Sequence, residues 1–207
     1  MKIDGTPYRS VWVDRADTWS VRIIDQTKLP WSLEFLRLTT LTEAAHAIRS
    51  MQVRGAPLIG AVAAYGLCLA LRADARTEAM ERDAALLAAT RPTAVNLAWA
   101  IERMLTRLRN TAPDARVAAA YEEAARIADE DAAQCEAIGR HGVGLIQEIA
   151  ARRGGGRVNV LTHCNAGWLA TVDWGTALAP IYMAHERGID VHVWVDRADT
   201  WSVRIID

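Results

Sequence analysis

A cysteine at the end of a predicted strand is the residue best suited to chemistry in this sequence. The apolar run Val158–Leu161 predicts a β-strand, and Thr-His-Cys-Asn-Ala-Gly follows it directly. Cys164 therefore lies where a strand turns into the next segment, just before a predicted helical stretch, and such a position favours the reactive thiolate. The alternative is a small buried apolar side chain, and the strand-end position alone leaves both interpretations open.

The other two cysteines predict no chemistry. Cys68 and Cys135 fall on apolar faces of predicted helices, where cysteine packs as a small apolar residue. An odd number of cysteines at wide spacings indicates neither a disulfide framework nor a zinc site. The cysteines therefore predict no zinc site.

Two arginines precede predicted helices and could bind an anion. Arg54 and Gly55 stand just before Pro57, which opens the apolar helix Leu58–Leu71. A helix start offers free backbone N–H groups, glycine allows a ligand to approach the main chain, and arginine adds a charged fork. Arg91 stands in a similar position, beside a proline and a predicted capping threonine. The alternative at both places is an ordinary helix start with a solvated arginine.

Composition and charge restrict the classes of partner. The 207 residues are 51% hydrophobic and 24% charged, with a formal net charge of -1. This balance argues against a broad nucleic-acid or membrane-surface footprint. The first ten residues lack signal-peptide features, and the longest apolar run, Leu58–Leu71, is too short to span a bilayer. We expect a cytoplasmic protein.

The hydrophobic pattern predicts an α/β chain in two parts. Residues 1–153 form a largely helical N-terminal domain that begins with a β-hairpin, and residues 154–207 begin a Rossmann-like parallel sheet with a β-α-β unit. A bend is expected at Gly139–Gly144 in the last long helix. The predicted hairpin strands are 11–14 and 20–24; a capping box at Thr40 and Glu43 opens a helix; further helices are 58–71, 76–89, 94–109, 117–151 and 175–187; the later strands are 158–161 and 191–195.

The sequence contains one perfect internal copy. Residues 11–25 and residues 193–207 both read VWVDRADTWSVRIID. No repeat architecture needs a single perfect copy, and divergence would have blurred an ancient duplication. Recent recombination, an assembly error or deliberate design would each explain it, and the sequence does not choose among them.

Three segments together resemble the methylthioribose-1-phosphate isomerases of the initiation factor 2B α/β/δ-like superfamily. The segments are Arg54–Pro57 with Ile59-Gly60 and Ala63–Gly66, then Arg91–Leu97, then Leu161–Gly167 with Gly175–Leu178; the opening Ile23–Pro30 is similar as well. The resemblance runs from Met1 to Asp196. It implies a helical N-terminal domain joined to a Rossmann-like domain, and a homodimer. It also implies an aldose–ketose isomerase of methionine salvage that acts on a phosphorylated sugar without a metal ion or an organic cofactor.

The resemblance also assigns residues. Arg54, Gly55, Ala56 and Arg91 would bind the substrate's phosphate and sugar, and Cys164 would be one catalytic residue. After Asp196, where the family continues with a Glu-Thr-Arg-Pro-type segment, this sequence repeats its own residues 15–25. The family's catalytic aspartate has no counterpart here, so we expect no appreciable isomerase activity from these 207 residues alone. Alternatives are a ribose-1,5-bisphosphate isomerase, a non-catalytic initiation-factor-like regulatory subunit, or an interaction fragment.

Overall fold

The computed structural model describes residues 1–196 and 204–206, which form a mixed, mainly helical α/β chain. These residues form two compact units, one of residues 9–130 and the other of residues 1–8 with 131–196 and 204–206. The predicted domain boundary after residue 153 coincides with the end of a long helix, and it stays a prediction. The strands are β1 Lys2–Ile3, β2 Thr6–Pro7, β3 Val11–Asp14, β4 Ser20–Ile24, β5 Phe35–Leu38, β6 Val158–His163, β7 Val191–Asp196 and β8 Arg204–Ile206; the helices are α1 Leu41–Arg49, α2 Ala56–Ala73, α3 Thr77–Ala88, α4 Val95–Arg109, α5 Arg116–Arg152 and α6 Ala179–Glu186.

The predicted hairpin is confirmed, and a third strand extends it. β3 and β4 pair antiparallel with Val11 opposite Ile23, and β5 pairs with the other edge of β4. Val11, Val21 and Ile23 are at most 1% exposed, so the sheet buries one face against the helices. The sequence reasoning missed β5, whose pairing with β4 is not local.

The first unit is built around α2. This 18-residue helix has a mean hydropathy of 1.6, high enough to satisfy the length and composition of a membrane span. However, every residue from Leu58 to Leu71 is buried, because α1, α3 and α4 pack around the helix. It is therefore the core helix of this unit, as the sequence predicts. α1 beside it begins with the predicted capping box, since Thr40 accepts from the Glu43 backbone and Glu43 accepts from the Thr40 backbone.

The second unit packs α6 against the second half of α5 and against a small sheet. α5 runs unbroken for 37 residues through Gly139–Gly144, where the sequence predicts a bend. The glycines instead allow close packing, because a Cβ on Gly142 would lie 2.4 Å from the Pro180 ring.

The parallel pairing expected of a β-α-β unit is present. β6 and β7 are parallel, with Val158 opposite Val191, and α6 lies between them in the sequence. Val158 belongs to a core cluster with Val143, Ile146, Met183 and Ala184. The opposite face of the sheet is more open: Leu161 is 74% exposed and its cross-strand partner Trp194 is 38% exposed.

Candidate functional site

The start of α2 is an uncapped helix N-terminus. Gly55 takes a φ of +107° that only glycine adopts without strain, and it turns the chain into a helix that begins at Ala56. No side chain caps the first turn, and Pro57 has no N–H. Gly55 is half-buried and Ala56 is exposed. The remaining N–H groups of the first turn are therefore free to bind an anion from outside the helix.

Arg54 places a guanidinium group at this helix start. The residue is half-buried, and its Nε is fully buried with no hydrogen-bond acceptor in residues 1–196 and 204–206. A buried N–H without an acceptor costs free energy, about 1–3 kcal/mol in general. The Arg54 guanidinium group is therefore suited to bind an anionic ligand that accepts this hydrogen bond.

The second arginine segment lies beside the first because α2 and α4 pack closely. A Cβ on Gly60 would lie 2.8 Å from the Asn96 carbonyl oxygen, so only glycine allows the beginning of α4 to approach α2 this closely. Arg91 is half-buried in the turn before α4 and forms no ion pair with the described residues. Arg54, Gly55, Ala56 and Arg91 thus lie in one unit, at two neighbouring helix starts.

One sequence prediction at this place is wrong. A threonine was expected to cap α4, but the N-cap is Ala94, which makes no side-chain hydrogen bond. Thr90 instead donates its hydroxyl to the Leu87 carbonyl oxygen at 2.6 Å, which ties it to the end of the preceding helix. The start of α4 is therefore also uncapped.

Cys164 lies in the other unit, immediately after β6. Its side chain is exposed and its φ is +70°, a left-handed conformation that costs a non-glycine residue about 1–2 kcal/mol. Such conformations concentrate at functional sites. The expected helical stretch after Cys164 is a single 3₁₀ turn at Trp168–Ala170, which is too short to provide a helix dipole for the thiol.

A second loop holds the residues that follow Cys164. The N–H groups of Thr176 and Leu178 donate to the Ala166 carbonyl oxygen at 3.0 and 3.4 Å. Gly175, with a φ of +78°, packs so tightly that a Cβ there would lie 2.5 Å from the carbonyl carbon of Gly167. The sequence reasoning placed residues 175–178 in a helix, whereas the helix begins at Ala179. The close approach of Gly175 had no sequence signal beyond the glycine itself.

Thr171 completes this loop from within the protein. It is 1% exposed, and its hydroxyl donates to the Asp173 carbonyl oxygen at 2.9 Å and accepts from the Gly175 N–H at 3.1 Å. The loop geometry around Cys164 is therefore fixed by a buried side chain as well as by glycines.

The other two cysteines differ from Cys164 in the way the sequence predicts. Cys68 and Cys135 are 0% and 2% exposed. Burial raises the pKa of the Cys68 thiol well above its ordinary value and raises the pKa of Cys135 to about 11. Both remain thiols at neutral pH, so Cys164 is the accessible cysteine of the described chain. In that same part of the chain, no three His, Cys, Asp or Glu side chains group as metal ligands.

Comparison with known proteins assigns the family. Residues 52–199 match the initiation factor 2 subunit family, so the chain belongs to that family. It is 67% identical over 196 residues to the methylthioribose-1-phosphate isomerase of Acidiphilium cryptum and 64% identical over 197 residues to that of Gluconobacter oxydans. These alignments cover 95% of this chain but only 53% and 54% of the relatives. The chain thus spans about half the length of the relatives it matches.

Solved structures give the same relationship. The chain resembles the translation initiation factor eIF-2B subunit delta from A. fulgidus with a TM-score of 0.76 and 38% identity, over 91% of this chain and 54% of that one. It resembles 5-methylthioribose 1-phosphate isomerase from Pyrococcus horikoshii with a TM-score of 0.74 and 35% identity, over 89% of this chain and 51% of that one. The mixed α/β fold expected from the sequence is confirmed at this level.

Proposed function

We propose that this chain carries the phosphate-binding helix starts and the reactive cysteine of a methylthioribose-1-phosphate isomerase. The observation that supports it most directly is Cys164, an exposed thiol in a left-handed conformation at the end of a parallel strand. The 67% identity to an isomerase adds to it. The reaction would convert 5-methylthioribose 1-phosphate to 5-methylthioribulose 1-phosphate, as in methionine salvage.

The chemistry of this substrate agrees with the residue roles that the family resemblance implies. Its 1-phosphate prevents the ring from opening to a free aldehyde, so an enzyme must hold a dianion while protons move on the adjacent carbons. Arg54 and Arg91 would bind the phosphate and sugar together with the free N–H groups near Gly55 and Ala56. Cys164 would take part in the proton transfer. None of these steps requires a metal ion or an organic cofactor.

A non-catalytic regulatory role is the second candidate, because the TM-score of 0.76 to an initiation factor subunit slightly exceeds that to the isomerase structure. A ribose-1,5-bisphosphate isomerase is the neighbouring catalytic alternative. The higher identity to the isomerases favours the methylthio substrate. A regulatory subunit has no need for a substrate-protected thiol, so protection of Cys164 separates the two classes.

The test is alkylation of Cys164 by iodoacetamide in the 207-residue protein, followed by peptide mass spectrometry. We expect 5-methylthioribose 1-phosphate to slow alkylation at least tenfold, and inorganic phosphate or 5-methylthioribose to do so much less. Arg54→Gln and Arg91→Gln should each raise the half-protecting concentration about tenfold, since each removes a charge-assisted hydrogen bond. The exposed Arg49 of α1 provides the matched control, Arg49→Gln.

Two outcomes would contradict the proposal. If the substrate leaves the alkylation rate unchanged, Cys164 is not part of its site. If ribose 1,5-bisphosphate protects better than the methylthio sugar, the substrate assignment is wrong, although the site would stand.

The assembly and location of the protein complete the proposal. Completion of the β6–β7 pair into a Rossmann-like sheet, a homodimer of the full-length protein and a cytoplasmic location would agree with an isomerase of small metabolites. We infer no nucleic-acid or membrane partner for it.

A further inference from the structure

A cavity of about 1040 Å³ lies between the β3–β4 hairpin, the second half of α2 and the first half of α5. We name it the hairpin cavity. All of its walls belong to the unit formed by residues 9–130. The volume lies just above the usual range for small-molecule sites, about 300–1,000 Å³.

The hairpin cavity is separate from the proposed substrate site. Tyr65 and Arg72 line it, and they lie further along α2 than Ala56 by nine and sixteen residues. At a rise of about 1.5 Å per residue, these positions are about 14 and 24 Å along the helix axis from its start. A ligand here would therefore not occupy the place assigned to the phosphorylated sugar.

Aromatic side chains form the apolar part of the wall. Trp19 and Tyr121 meet edge to face with ring centroids 4.9 Å apart, and Trp12 lines the cavity from β3. The Tyr121 hydroxyl donates to the Trp19 carbonyl oxygen at 2.9 Å, which fixes the two rings relative to each other. Rings held in this way provide a preformed surface for a flat apolar ligand.

A hydroxyl group lies at the buried side of the cavity. Tyr65 is only 5% exposed, and its side chain lines the cavity from α2. Burial raises the pKa of the Tyr65 hydroxyl. Cys68 and Asp129 raise this pKa further, whereas Arg9 and Arg15 lower it. The group is therefore a neutral O–H near charged residues of the cavity. A hydroxyl on the wall of a cavity can donate a hydrogen bond to, or accept one from, a polar atom of a ligand bound there.

Two of the lining guanidinium groups already have carboxylate partners. Arg9 pairs with Asp129 at 2.5 Å, and Arg126 pairs with Glu123. These two arginines are largely neutralised and contribute little attraction for another anion.

The other two lining guanidinium groups have no carboxylate partner in the described chain. Arg15 lies over the Trp19 ring, 5.2 Å from its centroid, and Arg72 donates to the Thr18 carbonyl oxygen. Both therefore flank the Trp19–Tyr121 end of the cavity. Each retains N–H donors that could bind an anionic group.

Two carboxylates, Asp114 and Glu122, line the cavity as well, both at exposed positions. Together with the unpaired guanidinium groups, they leave the cavity without a strong net field. A simple inorganic anion would gain little there, whereas a ring that stacks on the aromatic wall would place its charge at the guanidinium groups.

The geometry points to the hairpin cavity as a second ligand site, for a planar aromatic anion. The ring lies against Trp19 and Tyr121, the anionic group binds Arg15 and Arg72, and a polar atom of the ligand pairs with the Tyr65 hydroxyl.

The test uses the 207-residue protein, naphthalene-2-sulfonate as the anionic probe and 2-naphthol as its neutral counterpart, with isothermal titration calorimetry. We expect saturable one-to-one binding, at least threefold tighter for the sulfonate. Arg15→Gln should abolish this difference, and Arg107→Gln, on an exposed part of α4 outside the cavity, should leave it unchanged. Tyr65→Phe should weaken sulfonate binding about three- to tenfold, and Tyr182→Phe should not.

The proposal is overturned if both probes bind equally, if inorganic phosphate competes as strongly as the sulfonate, or if no saturable binding occurs up to the solubility limit. It is also overturned if Tyr65→Phe behaves like Tyr182→Phe. Circular dichroism of each variant checks that a lost affinity does not come from lost structure.

Discussion

The two copies of the same 15-residue sequence occupy different positions in their sheets. In the first copy, β3 is an edge strand and β4 is central, with Val11 opposite Ile23. In the second copy, β7 is central because it also pairs with the parallel strand β6, and β8 lies at the edge.

The register differs as well. In the second copy Val193 lies opposite Ile206, one residue beyond the partner that the first copy would predict. Identical local sequence therefore does not determine register, because strand register depends on what each face buries and on the neighbouring strands. Three substitution pairs would break or sharpen this contrast.

The largest difference is expected from proline in the second strand of each copy. Arg22 lies in the central strand β4 and Arg204 in the edge strand β8, at equivalent positions of the copies. Arg22→Pro should lower the free energy of unfolding by about 3 kcal/mol or more, since it removes an N–H from a ladder with neighbours on both sides. Arg204→Pro should cost less than about 1 kcal/mol. Urea denaturation measures both, with the two alanine variants as controls; equal losses would contradict the strand order.

A smaller difference is expected at the first residue of each copy. Here the substitution in the edge strand, not the one in the central strand, should cost more. Val11 is 1% exposed although β3 is an edge strand, whereas Val193 is half-buried in the central strand β7. Val11→Ala should cost about 2 kcal/mol and Val193→Ala about half of that, because the loss follows the apolar area removed from the core. A larger loss at Val193 would show that strand position outweighs side-chain burial.

The smallest effect concerns an ion pair that only a third strand can supply. Arg37 of β5 donates to Asp17 in the hairpin turn, with an Nη2–Oδ1 distance of 2.9 Å. This contact, followed by the bond from Ser20, lowers the pKa of Asp17 from 3.8 to about 2. Because folding lowers the pKa of this carboxyl group, its ionised form stabilises the fold at pH values above the ordinary pKa of 3.8. This stabilisation is lost as the pH falls towards 2. Arg37→Gln should weaken this dependence, because the contributions of Ser20 and Arg22 remain.

An NMR titration of the Asp17 carboxyl measures the shift directly. With Arg37→Gln the midpoint should move up towards the ordinary value, and with Arg49→Gln it should not. An unchanged midpoint in Arg37→Gln would mean that the hairpin residues, and not the third strand, lower the pKa of the Asp17 carboxyl.

Short-range sequence patterns predicted those parts of the fold that depend on contacts between nearby residues. The hairpin at residues 11–24 has alternating strands around a polar turn, and the capping box at Thr40 and Glu43 satisfies its own backbone. By contrast, β5 is four residues long and depends on pairing with β4, which no short-range pattern indicates. The predicted start of α6 is too early because the N–H groups of Thr176 and Leu178 donate to the Ala166 carbonyl oxygen.

The candidate site also has some features that the sequence predicts and others that depend on contacts between distant residues. The strand-end position of Cys164 and the helix starts at Gly55 and Arg91 could be read from neighbouring residues. The left-handed conformation of Cys164 and the hydroxyl bonds of Thr171 could not, because they result from a loop packing on another loop. The Trp19–Tyr121 contact joins residues about one hundred positions apart, so the hairpin cavity had no sequence signal.

The tight fit at Gly175 has a consequence for how such a sequence can vary. A methyl group at this position would meet the backbone of Gly167 and Trp168, which cannot rotate away as a side chain can. In addition, the φ of +78° at this position would strain any residue that has a side chain. We therefore expect that no single substitution of Gly175 is tolerated. The loop after Cys164 can diversify only by compensating changes on both loops, or at the side chains that point away from this contact.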